Sequence, residues 1–301
     1  MLGSVIRFES PSDRTKSPLQ RMRPTFLISP NSLDGFLFVF LILLAARLLP
    51  AAEPSPDAPA AAAEQLKQLN DRTIIGSRIS LDTEWDQFKH GTEKARWTLG
   101  ALWGWRVHDW QDWAVRLNLP FVYGRSDESW GHTDIGGVGD IEVATGTALR
   151  LDNSWRTAGG VELHADTASN STLGDSVWRL KPFWAIAHDV TDWFTLAFAG
   201  EYSHSIAEEH DVPPQGYLEL SLPATFILPS DWSIGAQYKA KIDFENSDRW
   251  AHTVNVGVAK RLSNIPVVLS VTLEKTLDGG NKKFQANFTM TYYFERYHVP
   301  K

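Results

Sequence analysis

From about Thr73 onward the chain repeats one pattern, apolar and polar positions taking turns over long runs. In "ARWTLGALWGWRV", Ala95 to Val107, the positions Trp97, Leu99, Ala101, Trp103, Trp105 and Val107 alternate with Arg96, Thr98, Gly100, Leu102, Gly104 and Arg106. "DWAVRLNLPFVYG", "DWSIGAQYKAKIDF" and "KFQANFTMTYYF" repeat it. Strict alternation predicts β-strands with two unlike faces. No helical period of comparable length competes after residue 73.

Twelve such segments are expected, near 75–86, 95–107, 113–124, 139–151, 156–166, 177–189, 193–205, 217–228, 232–244, 250–261, 267–277 and 283–294. Short turns ("HDWQD", "DNSW", "VTD", "LPSD", "SNIP") alternate with mostly longer polar links such as "RSDESWGHTDIGGV" and "TASNSTLGDS". That rhythm is what an up-and-down antiparallel barrel produces, with tight turns at one end and larger loops at the other. An even count puts both ends of the barrel chain on the short-turn side.

Three observations turn the apolar face outward, into lipid. Strands of soluble proteins average roughly 5–6 residues, whereas about 11–13 residues, tilted, cross a hydrocarbon slab. The opposite faces are rich in small residues (Gly100, Gly104, Ala144, Gly146, Ala148, Ala197, Ala199, Gly257), as suits a narrow curved interior. Trp110, Trp113, Trp155, Trp193 and Trp232 lie at or beside the short turns, where a membrane protein places an aromatic girdle. The expected fold is all-β, a transmembrane up-and-down antiparallel barrel of about twelve strands, of outer-membrane type. Closure removes the exposed strand edges. The closing strand "FQANFTMTYYF" resembles the aromatic C-terminal signature of outer-membrane proteins, with "ERYHVPK" following it.

The N-terminus fits this location. Phe36 to Ala46, "FLFVFLILLAA", is shorter than the roughly 20 residues of a spanning helix, has Arg21 and Arg23 before it and small residues after it. It reads as the core of a signal peptide in a leader of residues 1–52, over a retained anchor, with Met22 an alternative start. Residues 53–72, Pro/Ala-rich and then briefly helix-prone, read as a flexible periplasmic lead-in or as a short helix plugging the barrel mouth. Residues 73–301 form the barrel. The absence of cysteine excludes disulfides and thiolate sites. A net charge of −7 with both signs interspersed offers no footprint for nucleic acid.

Two stretches carry a family resemblance. "GGVGDIEV" (Gly136 to Val143) and "GVELHADTASNSTLGDSVWRLKPFWAIA" (Gly160 to Ala187) resemble the Gly-x-Gly-Asp strand start and the following hairpin of outer-membrane transporters of the meta-pathway of phenol degradation type. The resemblance implies a barrel for uptake of small solutes, aromatic or hydrophobic ones among them. It supplies no catalytic residues, and no cofactor is implied.

The candidate site is therefore the lumen. Inward positions on the first half of the barrel include Arg96, Arg106, Arg116, Glu142, Arg150, Glu162, His164, Asp166, Arg179 and Lys181. On the second half they include Glu201, Glu219, Lys239, Lys241, Asp243, Arg261 and Glu274. These charges either set the electrostatics of a pore or form a satisfied network that fills a structural barrel. Lys239 and Lys241 share one face, so their charges add toward a modest anion preference, partly offset by Asp243. Glu162, His164 and Asp166, at i, i+2 and i+4, are considered as metal ligands and set aside, since such neighbours are commonplace in a polar lumen. A lipid hydrolase is disfavoured: in the twelve-stranded outer-membrane phospholipases a His and a Ser stand two apart on one strand face, whereas none of the nine histidines here is followed by Ser at that spacing and His204 has Ser203 and Ser205 on the opposite face. "GGVGD" lacks the Lys-Ser/Thr of a phosphate loop. The expected function is a passive channel, with a non-conducting structural barrel as the alternative. Outer-membrane lipid, a small solute and, during biogenesis, the barrel-assembly machinery are the expected partners.

Overall fold

The computed structural model describes residues 58–69, 71–89, 93–126, 133–208, 212–245, 249–263, 265–280, 282–295 and 297–298. The apolar run 36–46, the leader and Met22 lie outside these residues. Among the described residues one helix, α1 (Ala58–Lys67), precedes the strands β1 (Ser77–Phe88), β2 (Glu93–His108), β3 (Gln111–Ser126), β4 (Thr133–Val138) and β5 (Glu142–Arg150). Then follow β6 (Trp155–His164), β7 (Val177–Thr191), β8 (Phe194–Glu208), β9 (Gly216–Leu228) and β10 (Trp232–Asp243). β11 (Arg249–Arg261), β12 (Val267–Asp278), β13 (Lys282–Phe294) and the two-residue β14 (Tyr297–His298) complete the chain.

From β1 to β13 neighbouring staves pair antiparallel, and β1 pairs with β13 from Ser77↔Phe294 to Gln87↔Phe284. The sheet therefore closes into a barrel of twelve staves, β4 and β5 forming one. The break between them is a bulge. Three residues, Gly139 to Ile141, oppose the two residues between Asn118 and Phe121 on β3, so the stave bends there. β4 pairs with β3 alone. Its other side is met by residues 165–176, whose Ser169 N donates to the Val138 carbonyl at 2.9 Å. Part of the link 125–138, expected as loop, thus extends the wall. β14 runs parallel to β2 opposite Trp105 and Arg106, beyond the point where β1 begins.

The turns follow from their residues. Asp152 caps the β5–β6 turn, accepting from the amides of Ser154 and Trp155 at 2.7 Å each. Those donors hold its carboxyl below the usual carboxylate range. Gly279, after β12, has φ +78° and lies so close to the Trp250 carbonyl that a Cβ would sit 1.7 Å from it; only glycine fits.

The apolar rows face out. Trp103, Val115, Phe121, Trp184, Phe198, Val256, Leu273 and Phe288 are all exposed, far more apolar surface than a water-soluble exterior carries. Trp110, Trp113, Trp155, Trp193 and Trp232 ring the short-turn end, and Trp85, Trp178, Tyr202, Tyr238 and Trp250 the long-loop end. Two girdles bound one apolar belt, the exterior of a transmembrane barrel. The small residues face in, and Ala185, Ala187, Ala197 and Ala199 are buried.

Helix α1 lies inside the short-turn end. Leu66 is 1% exposed and packs on Ala259, Val268 and Tyr293 of the opposite wall, with Ile227 beside them. Burying it contributes about 2 kcal/mol. Ten residues form a helix only with such support.

Candidate functional site

Alternation delivers the charges to the lumen, and strand register decides which of them meet. Between β5 and β6, Glu142 stands opposite His164. Between β6 and β7, Glu162 stands opposite Lys181, and His164 opposite Arg179. The result is one connected network toward the long loops. Lys181 Nζ lies 2.7 Å from Glu162 and 3.5 Å from Glu142. Arg116 pairs with the other oxygen of Glu162. Asn118 donates to Glu142 at 2.9 Å, and Arg179 donates to Gln215 at 2.7 Å and pairs with Asp175. His164 stands between carboxylates, Nδ1 3.3 Å from Glu142 and Nε2 3.1 Å from Asp140.

Asp140 and Asp175 hold this network together, and the alternation pattern does not reveal either, because both lie in irregular backbone. Asp140 Oδ1 accepts from the amides of Thr167 and Ala168, and Oδ2 from that of Asp175 at 2.6 Å. It clasps residues 165–176 against the wall, and Leu173 of that segment is 3% exposed. Asp166 lies in this clasped segment past the end of β6, so it does not continue the row of Glu162 and His164. Asp140, His164 and Asp175 are instead the trio whose ligand atoms converge within 4.8 Å. The Asp140 oxygens are already committed to three amides and the imidazole, and Asp175 to Arg179. This donor set suits a loop clasp, not a metal centre.

A second network fixes the N-terminal segment at the short-turn end. Arg156 Nη2 reaches Asp71 and Asp189 at 3.0 Å each, and Lys67 Nζ is 3.1 Å from Asp189. Arg72 reaches across to Glu201 at 3.1 Å. Arg261 donates to Gln65 at 2.9 Å, and the Tyr293 hydroxyl donates to the Gln65 carbonyl at 3.0 Å. Arg106 and Arg150 both turn to Asp112, at 2.9 and 3.8 Å. Lys67, Asp71 and Arg72 are functional candidates that strand counting passes over, since they precede the first strand.

The remaining candidates stand apart. Arg96 faces Glu84 at 3.5 Å. Lys239 is bound to Glu274 at 2.8 Å, and Lys241 Nζ lies 3.5 Å from the Tyr217 ring centroid. The two lysines are therefore not a pair of bare charges. Glu219 lines the lumen beside Lys239, and Asp243 accepts from the Glu245 amide at 3.2 Å. His204 stacks on Tyr202, both side chains on the outer face, while Ser203 and Ser205 are buried inside.

What is left of the bore is a set of chambers. One of about 280 Å³ lies between β1–β3 and β10–β13, lined by Ser80, Gly100, Ser270, Thr272, Thr289 and Thr291 among others. A second, about 320 Å³, shares Leu69, Arg78, Leu102 and Arg116 with it and adds Ile75, Phe183 and Gln237. A third, about 380 Å³, lies by α1 between Lys67, Arg150 and Arg156. A fourth, about 140 Å³, lies by the clasp, between Lys94, Arg96, Asp140 and Arg179.

No family model matches the chain, and no curated protein sequence does. Among solved structures it is similar to an outer membrane channel from Pseudomonas putida F1, with TM-score 0.61 and 17% identity over 73% of this chain and 96% of that one. It is similar to the NanC porin, with TM-score 0.51 and 12% identity over 72% and 99%. The translocator domain of the autotransporter NalP from Neisseria meningitidis gives TM-score 0.51 and 11% identity over 85% and 99%. At these identities the likeness is one of fold. The chain is a closed twelve-stranded antiparallel barrel of outer-membrane type, and its two-girdled apolar exterior belongs in the outer membrane of a Gram-negative bacterium.

Proposed function

We propose that the barrel is a passive channel for small solutes, narrowed at its short-turn end by residues 58–69 and 71–76, and that this end faces the periplasm. The observation that carries the reading is the way that segment is held. Leu66, with Leu69 beside it, packs on Ala259, Val268 and Tyr293, and Ile75 packs on Ala114, Ala148 and Ala158; most of the other contacts are ion pairs and hydrogen bonds to a polar wall, which water can replace. Chambers remain on both sides of Arg78, so the bore is narrowed, not filled. Channel-forming barrels keep such polar interiors.

The test is conductance of the full-length protein in planar bilayers, beside a variant deleted for residues 53–72 and Arg156→Ala. Removing Arg156 leaves Asp71 and Asp189 facing each other, a loss of about 3–5 kcal/mol for a buried pair, so both variants should conduct more than wild type. Silence from all three would give the place to the structural barrel. An impermeant thiol label should reach cysteines placed in 165–176 on intact cells but not those at 152–154; the reverse would invert the orientation.

Uptake of aromatic or hydrophobic solutes, implied by the resemblance to the phenol meta-pathway transporters, is the second reading. The Phe183 ring, with Leu102 and Ile75 in the second chamber, favours it. Faster entry of benzoate than of a polyol of similar size into proteoliposomes would support it.

A further inference from the structure

We infer that the 280 Å³ chamber between β1–β3 and β10–β13 is a binding site for a small hydroxylated carboxylate of about five or six carbons. The inference rests on the channel reading and names its substrate class. Arg78 takes the carboxylate. Its guanidinium has the Gln68 carbonyl at 3.4 Å and the Tyr293 phenol as neighbours. It has no carboxylate at ion-pair distance among the described residues, whereas Arg116, Arg156 and Arg179 each have one. A guanidinium carries five donors, so several remain for a ligand. Arg116 reaches the same space from β3, and its buried Nε has no partner.

The opposite end of the chamber is built for hydroxyls. Asp82 lies four residues along β1 from Arg78, on the same face, about 13 Å away by strand rise. Its carboxylate already accepts from Ser80 at 3.1 Å and Thr289 at 2.7 Å, and each oxygen keeps a lone pair for a further donor. Ser270, Thr272, Asn287 and Thr291 line the space between. Gly100 keeps it open, since a Cβ there would come 2.6 Å from Ser80 Oγ. The volume holds about nine waters at about 30 Å³ each, which a six-carbon hydroxy acid displaces while replacing their hydrogen bonds. A flat aromatic acid would leave the hydroxyls unpaired, and a small inorganic anion would not reach from Arg78 to Asp82.

The experiment is calorimetric titration of the purified full-length protein with gluconate, and with sorbitol, benzoate, 6-aminohexanoate and chloride as separate probes. Gluconate should bind, and Arg78→Gln should weaken it at least tenfold while Arg78→Lys recovers part of the loss. Equal binding of sorbitol, tighter binding of benzoate or 6-aminohexanoate, displacement by equimolar chloride, or indifference to Arg78→Gln would each overturn the site. Arg78→Lys keeps the charge, so a fold lost in the glutamine variant does not end the test. Proteoliposome flux separates the two readings. Arg78-dependent binding without flux, even after deletion of residues 53–72, leaves this site standing and removes the channel. Flux without Arg78-dependent binding does the reverse.

Discussion

Toward the long loops, from β5 to β7, the inward rows carry Glu142, Glu162, His164, Arg179 and Lys181, each within reach of an opposite charge. Around the first chamber, from β10 through β13 to β1, they carry Ser233, Gly235, Gly257, Ser270, Thr272, Thr289 and Ser80, with Arg78 and Asp82 at its ends and the Lys239–Glu274 pair outside it. Both stretches obey the same alternation, and both cover the same kind of lipid-facing row. In the first, charges occupy the bore and bind one another, so the wall is braced at the cost of open space. In the second, short side chains satisfy neighbouring groups and leave a chamber. Side-chain length and charge on one face, not the strand pattern, decide whether a stretch of barrel closes its interior or opens it.

The comparison breaks most visibly at Glu162. Glu162→Ala strips the carboxylate shared by Arg116 and Lys181 and should lower stability by about 3–5 kcal/mol, read from urea unfolding in lipid vesicles. A neutral result would mean that the charged stretch braces nothing. On the outer face, Val256→Arg places a charge in the apolar belt and should cost about 2–4 kcal/mol near the midplane. Gln237→Leu, whose partner Asn255 donates to it inside at 2.9 Å, should cost less, and the opposite ranking would turn the wall inside out.

In the hydroxyl-lined stretch, Thr289→Val removes one hydrogen bond to Asp82 and should cost only about 1 kcal/mol. A loss as large as that at Glu162 would erase the difference between the two stretches. The smallest effect belongs to the rim. The Asp152 carboxyl titrates lower in the folded chain than in the unfolded one, so its contribution is present above the unfolded value and lost as pH falls through the folded one. Wild type should exceed Asp152→Ala at pH 6, and the gap should narrow by pH 3; a gap that widens on acidification would contradict the turn geometry.

The staves were legible because each strand meets two unlike media, and a period of two survives wherever both media persist. Trp103 and Gly104 cannot exchange places without breaking both. Where that constraint lapses, legibility lapses with it. Gly139 to Ile141 form a bulge, so parity slips there, and neither Asp140 nor Asp175 belongs to a readable row. The Arg156–Asp71 contact joins positions 85 apart, and neither local sequence says that a segment before the first strand folds back into the bore. Lys239 and Lys241 were legible as inward charges, but their partners Glu274 and Tyr217 follow from register across strands, which alternation alone does not supply.

The seat of Leu66 fixes an order of events in folding. Its floor is assembled from Ile227 on β9, Ala259 on β11, Val268 on β12 and Tyr293 on β13, residues more than 150 positions downstream of the helix they receive. All four lie on β9–β13, strands joined by consecutive hairpins of low contact order, whereas the seam between β1 and β13 joins the two ends of the barrel and is slow to nucleate. The cradle therefore does not wait for the seam. A helix seated in it holds the chain just ahead of β1 close to β13, so the segment that narrows the finished bore also shortens the search for closure.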